Sequence, residues 1–300
     1  MTILITGATG LIGSALSKDL IAKGDTIHYL TTSKDKLENK PNYKGFYWNP
    51  TTKEIDKTCF DGVEVIINLA GATIAKRWTK SYKEEIISSR TLTSNLIFET
   101  LSSINHTIKQ FVSASGTAIY PESYDKVYSE TETETTDDFL AKVVKVWEKG
   151  AMQFSSLNID VALIRTGVVY SRKGGAFQEL IKPIKYGVGA VMGNGKQVQS
   201  WIHLEDLVNL YSFVIEKKLA GIYNAVAPET ITNEEQTKAI AKKLSRPLFL
   251  PNIPQFMMKM ILGEMSLLLF TSKNLSSKKI REKGFTFKYP DLNLALNELI

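Results

Sequence analysis

The sequence predicts an α/β fold, a doubly wound parallel sheet that carries a smaller, mostly helical C-terminal lobe. Three observations predict it. Apolar runs suited to buried strands alternate with helical periodicity through the first 170 residues, the pattern of a parallel sheet covered on both faces. The first run, Ile3-Leu4-Ile5-Thr6, passes directly into Gly7, Gly10 and Gly13 and then into a helix. After Tyr170 the punctuation changes: Gly174, Gly175, Gly187, Gly189, Gly193 and Gly195 crowd one region, and the chain from Asn233 is largely helical between prolines.

Taken in order, the first helix reads Leu11 to Lys23, with Ile12, Leu16 and Leu20 on one face and Gly24 as its stop. Thr26 to Thr31 is the second strand and Phe46-Tyr47-Trp48 a short aromatic one. Val63 to Leu69 is near-continuously apolar, as a central parallel strand should be. A charged helix follows around Ser81 to Leu101, then a strand over Phe111 to Ser115. An acidic loop, Pro121 to Asp138, precedes a helix carrying Leu140, Val143, Val144, Trp147 and Ala151. Its Thr131 to Thr136 tract is expected to be a mobile loop at the mouth of a site. Asp160 to Tyr170 reads as one strand, and Gly221 to Val226 as another. The expected division is a Rossmann-type core over residues 1–170, completed by segments at about 197–230, with residues 171–196 and 231–300 forming the lobe.

Composition excludes several classes. The 300 residues are 43% hydrophobic and carry a net charge of +6. The lysines are scattered, and the cluster Lys278, Lys279, Arg281 and Lys283 reads as a solvated helix face, so nucleic acid is not an expected partner. Cys59 is the single cysteine, so no intramolecular disulfide forms, which fits a reducing compartment. Three histidines and one cysteine show no metal-ligand spacing. Met257 to Phe270 is the most apolar late stretch, but Lys259, Gly263 and Glu264 interrupt it. It is too short to span a bilayer and reads as a buried helix. With a strand beginning at residue 2, no targeting segment is expected, and the expected location is cytoplasmic.

The glycine run carries the chemistry. Gly7 permits a tight turn, Gly10 lets a pyrophosphate approach the backbone, and Gly13 lets helix pack on strand. The helix N-terminus then offers free N–H groups to the phosphates, and Thr9 in the turn is a further candidate for cofactor binding. At the end of the second strand a carboxylate would select the ribose 2′-hydroxyl of NAD. The chain instead has Thr31-Thr32-Ser33-Lys34. Hydroxyls and a cation match a 2′-phosphate, so NADP(H) is expected over NAD(H), which remains possible through the hydroxyls. Asn68-Leu69-Ala70-Gly71 puts small residues beside the same site.

Together, Thr6 to Gly13, Asn68 to Gly71, Leu163-Ile164-Arg165-Thr166-Gly167-Val168-Val169-Tyr170, Gly193-Asn194-Gly195-Lys196-Gln197 and Trp201 to Asp206 resemble the extended short-chain dehydrogenase/reductase superfamily. Arg77-Trp78-Thr79, Ser89-Arg90, Trp147-Glu148, Arg246-Pro247, Gly263-Glu264 and Gly284 to Pro290 narrow the likeness to its atypical epimerase-family proteins. The resemblance covers essentially the whole chain. It implies that Gly7, Gly10, Leu11 and Ile12 bind pyrophosphate, that Asn68 to Gly71 line the adenosine and ribose side, and that Arg90 and Ser113 lie near the nicotinamide. It also implies that Gly193 to Gln197 resembles a loop that contacts nucleotide diphosphates in relatives. The charged helix at Ser81 to Arg90 is where relatives dimerise.

That superfamily uses a tyrosine general base with a lysine four residues later, on the same helix face. None of the twelve tyrosines has a lysine at that spacing. Alignment through Trp147-Glu148 puts Leu140 and Val144 where the pair would be, and neither exchanges a proton. Ser113, Ser115 and Thr117 remain at the strand end, and Tyr120 is the nearest phenol. Ser115 and Tyr120 are therefore the catalytic candidates, with loop packing as the alternative for Tyr120. Lys142 and Lys145 read as solvated. Asp206, three residues after His203, reads as a helix cap rather than an acid/base partner. Arg165 faces substrate or pairs with a carboxylate, and Glu148 anchors a buried pair. Two functions follow: an NADP(H)-dependent oxidoreductase or epimerase-like enzyme for a carbonyl or nucleotide-sugar substrate, or an NADP(H)-sensing binding protein without turnover.

Overall fold

The computed structural model describes residues 1–300. Seven strands run parallel in one sheet: β1 (Thr2–Thr6), β2 (Thr26–Thr31), β4 (Tyr43–Asn49), β6 (Val63–Asn68), β7 (Gln110–Gly116), β8 (Asp160–Thr166) and β12 (Gly221–Ala225). Their order is β12-β8-β7-β6-β1-β2-β4. Two short strands, β3 (Asn39–Lys40) and β5 (Glu54–Ile55), pair antiparallel with β4. The chain moves from β1 outward to β2 and β4, then returns past β1 to start β6 on its other side. The C-terminal ends of β1 and β6 therefore flank the crevice where doubly wound sheets bind ligands.

Both faces are covered. Along β1, Ile3 and Ile5 belong to one core and Leu4 to the other, the period-two alternation of a strand buried on both sides. The first core lies under α1 (Leu11–Ala22) and α5 (Leu204–Glu216), through Leu16, Leu20, Leu207 and Tyr211. The second lies under α2 (Lys80–Leu101) and α3 (Phe139–Met152), through Leu96, Ile97 and Ala151. A third core, around Tyr170, Phe177, Trp201 and Leu296, holds the C-terminal region together.

The strand expected over Asp160 to Tyr170 is two. β8 ends at Thr166, and β9 (Val168–Tyr170) leaves the main sheet to pair with β11 (Trp201–His203). Gly167 marks the break, since a β-carbon there would lie 2.5 Å from the Ser200 carbonyl oxygen. Between them, β10 (Val198–Gln199) pairs with β13 (Ile231–Thr232), which leads into α6 (Asn233–Lys243) through a capping box of Thr232 and Glu235.

The buried helix expected over Met257 to Phe270 is also corrected. The segment breaks at Gly263 into α7 (Gln255–Leu262) and α8 (Leu267–Phe270). No residue of α7 is buried, and Phe256 and Met260 are 64% and 70% exposed. A four-residue gap of 3-10 turn separates the two, so no continuous apolar face forms to bury. No helix is long and apolar enough to cross a membrane. In the Thr131 to Thr136 loop, Glu132 and Glu134 pair with Lys126, and just before it Glu130 accepts the Asn224 amide at 2.7 Å.

Candidate functional site

The turn after β1 is built by close approach. Gly7 adopts φ +71°, and a β-carbon on it would lie 3.0 Å from the carbonyl carbon of Leu69, which follows β6. Gly13 is tighter still, because its β-carbon would lie 2.2 Å from the Gly7 oxygen. Gly10 caps α1 in an extended conformation with no side-chain acceptor. The first N–H groups of the helix, on Leu11 and Ile12, are thus left open at the positive end of its dipole. Thr9 and Gly10 are exposed at the rim.

Thr6 organises the opposite wall. Its hydroxyl accepts the amides of Leu69 and Ala70, each at 3.1 Å, and donates to the Asn68 carboxamide at 2.7 Å. Asn68 is fully buried, and its amide nitrogen also reaches Ser94 and Ser113 at 3.5 Å. Both Asn68 and Ser113 were read as ligand-facing. Their side chains instead face inward and bind β1, β6, β7 and α2 to one another, while Leu69 and Ala70 are half-buried and Gly71 is exposed. A strand end presents side chains alternately to each face, and motif spacing does not say which face holds the ligand.

Arg90 lies beneath that segment. Its guanidinium stacks over Trp147 at 4.5 Å, and Nη1 donates to the carbonyls of Ala72 and Ile86. A β-carbon on Gly71 would lie 3.0 Å from its Cζ. Arg90 is 8% exposed, Nε has no partner, and it makes no ion pair. Burial without a carboxylate beside it pulls the guanidinium down to about 10. A buried cation with an unmet donor, beneath the segment whose Leu69 and Ala70 pack on the glycine turn, fits an oxygen-rich anionic ligand. The crevice residues therefore fit a dinucleotide.

Beyond β2, Thr31 accepts the Ser33 amide at 3.2 Å, Thr32 is exposed, and Lys34 holds its ammonium 4.8 Å over the Tyr47 ring. All three of Thr32, Ser33 and Lys34 stand at the C-terminal edge of the sheet.

The catalytic candidates occupy a buried polar chain. Ser115 donates to Glu148 at 2.6 Å, and Arg165 clamps the same carboxylate through Nε and Nη2, both at 2.8 Å. Arg165 Nη1 donates to the Tyr120 hydroxyl at 2.8 Å, which donates to Asn224 at 2.9 Å. Burial alone would lower the Arg165 guanidinium, but Glu148 outweighs it and raises it. Burial raises the Tyr120 phenol against the pull of Arg165 and Asn224. Arg165 and Glu148 thus pair with one another. Tyr120 is 1% exposed with its hydroxyl committed on both sides, and the structure places it in packing rather than at an open surface. Tyr120→Phe is expected to lower stability by about 1–3 kcal/mol, through the partners left unmet on Arg165 and Asn224. Cofactor affinity should be unchanged, as urea unfolding and nucleotide titration of the variant would show.

A cleft of about 120 Å³ lies next to this chain, between the ends of the sheet and the C-terminal region. Trp78, Phe139, Leu140 and Leu268 give it apolar walls, and Thr117 and Lys273 give it polar ones. Leu140 faces this cleft, while Val144 packs against Ile119 and Tyr120. Lys273 had no signal in the sequence, since it sits in a loop with no motif and reaches the cleft only through tertiary folding.

His203 and Asp206 have structural work. His203, not Asp206, caps α5: its Nδ1 accepts the Glu205 amide at 3.2 Å, which leaves Nε2–H to donate to Glu298 at 3.0 Å. Asp206 instead accepts the amides of Lys288 and Tyr289 at 2.7 and 2.9 Å. The correction has a simple cause, as a buried carboxylate takes the nearest free donors, and these lie on the returning C-terminal chain. Lys279 likewise leaves the solvated face expected for its cluster and donates to the Ile222 carbonyl at 2.8 Å.

The sheet order and the glycine turn at the switch point define a Rossmann-type protein of the extended short-chain dehydrogenase/reductase fold. The chain belongs to the NAD-dependent epimerase/dehydratase family, whose family model matches residues 3–225. Residues 253–299 match a domain of unknown function, DUF1731. An epimerase family protein of Staphylococcus aureus (strain MRSA252) is 35% identical over 301 residues, 99% of this chain and 98% of the relative. A human epimerase family protein, crystallised with NADPH, is similar at 25% identity and TM-score 0.84, over 100% of this chain and 99% of that one. A nucleoside-diphosphate sugar epimerase from Corynebacterium glutamicum is similar at 28% identity and TM-score 0.79, over 100% of this chain but 58% of that one.

Proposed function

We propose that the protein binds NADP(H) across the β1–β6 crevice and acts as an oxidoreductase or epimerase-like enzyme on a small carbonyl compound held in the neighbouring cleft. The observation that carries the reading is the pairing of a closed glycine turn with the buried, unpaired Arg90. Gly7, Gly10, Leu11 and Ile12 would hold the pyrophosphate, with Leu69, Ala70 and Gly71 against the adenosine side. When bound, the cofactor supplies or accepts a hydride. Thr32, Ser33 and Lys34 would meet a 2′-phosphate, and the human relative crystallised with NADPH supports that preference.

Titration with NADPH, NADP, NADH and NAD tests this reading. The phosphorylated pair should bind more tightly, and Lys34→Glu should remove about tenfold of that preference while leaving NADH affinity in place, the worth of one charge-assisted contact. Failure of all four to bind would remove the proposal.

A second reading, a non-catalytic NADP(H) sensor, is favoured by one observation: the cleft presents Leu140, an apolar side chain, where the superfamily needs a proton-transfer group. Reduction of a carbonyl substrate by the NADPH-loaded protein, followed at the nicotinamide absorbance, separates the two.

A further inference from the structure

We propose that Lys273, from the DUF1731 region, is the anchor for the carboxylate of a compact, largely apolar organic acid in the cleft beside the cofactor crevice. The proposal rests on the functional reading above only in taking this cleft as the substrate site.

The backbone of Lys273 is held in place from both sides. The Lys273 amide donates to the Val198 carbonyl at 3.0 Å, and its own carbonyl accepts the Ser200 hydroxyl at 2.7 Å. Its ammonium donates to the Tyr120 carbonyl and makes no ion pair. An ammonium has three N–H donors, so two are left for a ligand. The groups facing it are Asp138, which caps α3 by accepting the Ala141 amide at 2.9 Å, and Glu122 from the loop after Tyr120. Burial lowers the Lys273 ammonium below the usual lysine range, against the opposing pull of these two carboxylates.

The surroundings set the ligand class. Trp78, Phe139, Leu140 and Leu268 suit an apolar body. The Lys273 ammonium is in no ion pair and can meet one negative charge at hydrogen-bond distance, while Asp138 and Glu122 beyond it oppose a second. The nucleotide-diphosphate alternative lacks its counter-charge. The groove at Gly193, Asn194 and Gln197 holds Glu122 and no lysine or arginine. Gln197 is 2% exposed and spends its amide on the carbonyls of Met192 and Leu269, at 2.9 and 3.2 Å. The Gln197 amide of the loop that resembles a diphosphate contact is therefore already committed to the chain's own backbone.

The test is calorimetry with phenylacetate, its uncharged isostere phenylacetamide, and UDP, on the wild-type chain, Lys273→Met and Lys273→Arg. The wild type should prefer phenylacetate over phenylacetamide by about tenfold, the worth of one charge-assisted hydrogen bond. Lys273→Met should abolish the preference, and Lys273→Arg should keep most of it. UDP should bind no better than phenylacetamide. The preference should fade as pH rises through the lowered titration of Lys273, before an ordinary lysine would lose its charge. Equal binding of the two probes by the wild type, no binding of phenylacetate, an unchanged preference in Lys273→Met, or tighter binding of UDP would each overturn the proposal. Circular dichroism of each variant shows that it is folded. NADPH titration of the same samples keeps the two readings apart, because a chain that discriminates by charge but ignores nucleotides retains Lys273 and loses the cofactor.

Discussion

Replacing Gly13 by alanine is expected to lower the unfolding free energy by about 3 kcal/mol, the upper range for overpacking, and to abolish dinucleotide binding. The added β-carbon would meet the Gly7 oxygen at 2.2 Å, the Ala8 Cα at 2.7 Å and the Gly7 carbonyl carbon at 2.9 Å. All three are backbone atoms of the turn, so no side chain can rotate aside. Only a shift of α1 away from β1 relieves the clash, and that shift moves the N–H groups that face the phosphates. Two controls separate the effects. At Gly10 the β-carbon meets only the Gly7 oxygen, at 3.3 Å, so Gly10→Ala should retain most of the stability and lose about a hundredfold in NADPH affinity, as a methyl group displaces the pyrophosphate. Gly24 has φ +89° with nothing within 4 Å, so Gly24→Ala should cost only the left-handed backbone term of about 1 kcal/mol and bind NADPH normally. Urea unfolding and nucleotide calorimetry on the three variants give the comparison. Normal cofactor affinity in Gly13→Ala would show that the turn is not the phosphate site.

Glu148→Leu is expected to destabilise the chain by about 3–5 kcal/mol, the cost of leaving one member of a buried pair uncompensated. Arg165 and Glu148 are only 7% and 11% exposed in their side chains, so solvent cannot replace the lost partner. The damage extends along the polar chain: Ser115 loses its acceptor, and Arg165, still holding Tyr120, keeps a buried charge with nothing to balance it. Glu148→Leu combined with Arg165→Met should recover part of the loss, because it removes both charges at once. In the double variant the Ser115 hydroxyl still lacks its acceptor and the Tyr120 oxygen its donor, which limits the recovery. Midpoint shifts in urea at constant slope would measure both effects. A double variant no more stable than Glu148→Leu would show that the unpaired guanidinium is not the source of the loss.

Much of the fold was legible because its causes are local. The strand–glycine–helix unit at residues 3–22, the apolar run of β6 and the Asp138 cap of α3 each announce themselves within one or two turns of chain. The departures occur where one residue's partner lies far away in sequence. Asp206 looked like a cap because His203 preceded it, but its donors are more than eighty residues on, at Lys288 and Tyr289. Met257 to Phe270 looked buried because it is apolar, yet Gly263 bends it and leaves Phe256 and Met260 exposed.

The sequence by itself determined that the chain folds as a doubly wound α/β sheet with a glycine turn of the dinucleotide-binding kind, and that no tyrosine is followed by a lysine four residues on. These follow from periodicity, glycine spacing and residue identity, which neighbouring residues carry. Only the tertiary structure decided which polar groups are already committed to partners within the chain. It turned Asn68 and Ser113 inward, gave Tyr120 to Arg165 and Asn224, left Arg90 unpaired beneath the crevice, and brought Lys273 to the cleft from the far end of the chain. Burial and pairing are properties of atoms that meet across the fold, and hydrogen-bond saturation at those meetings separates a structural side chain from an available one.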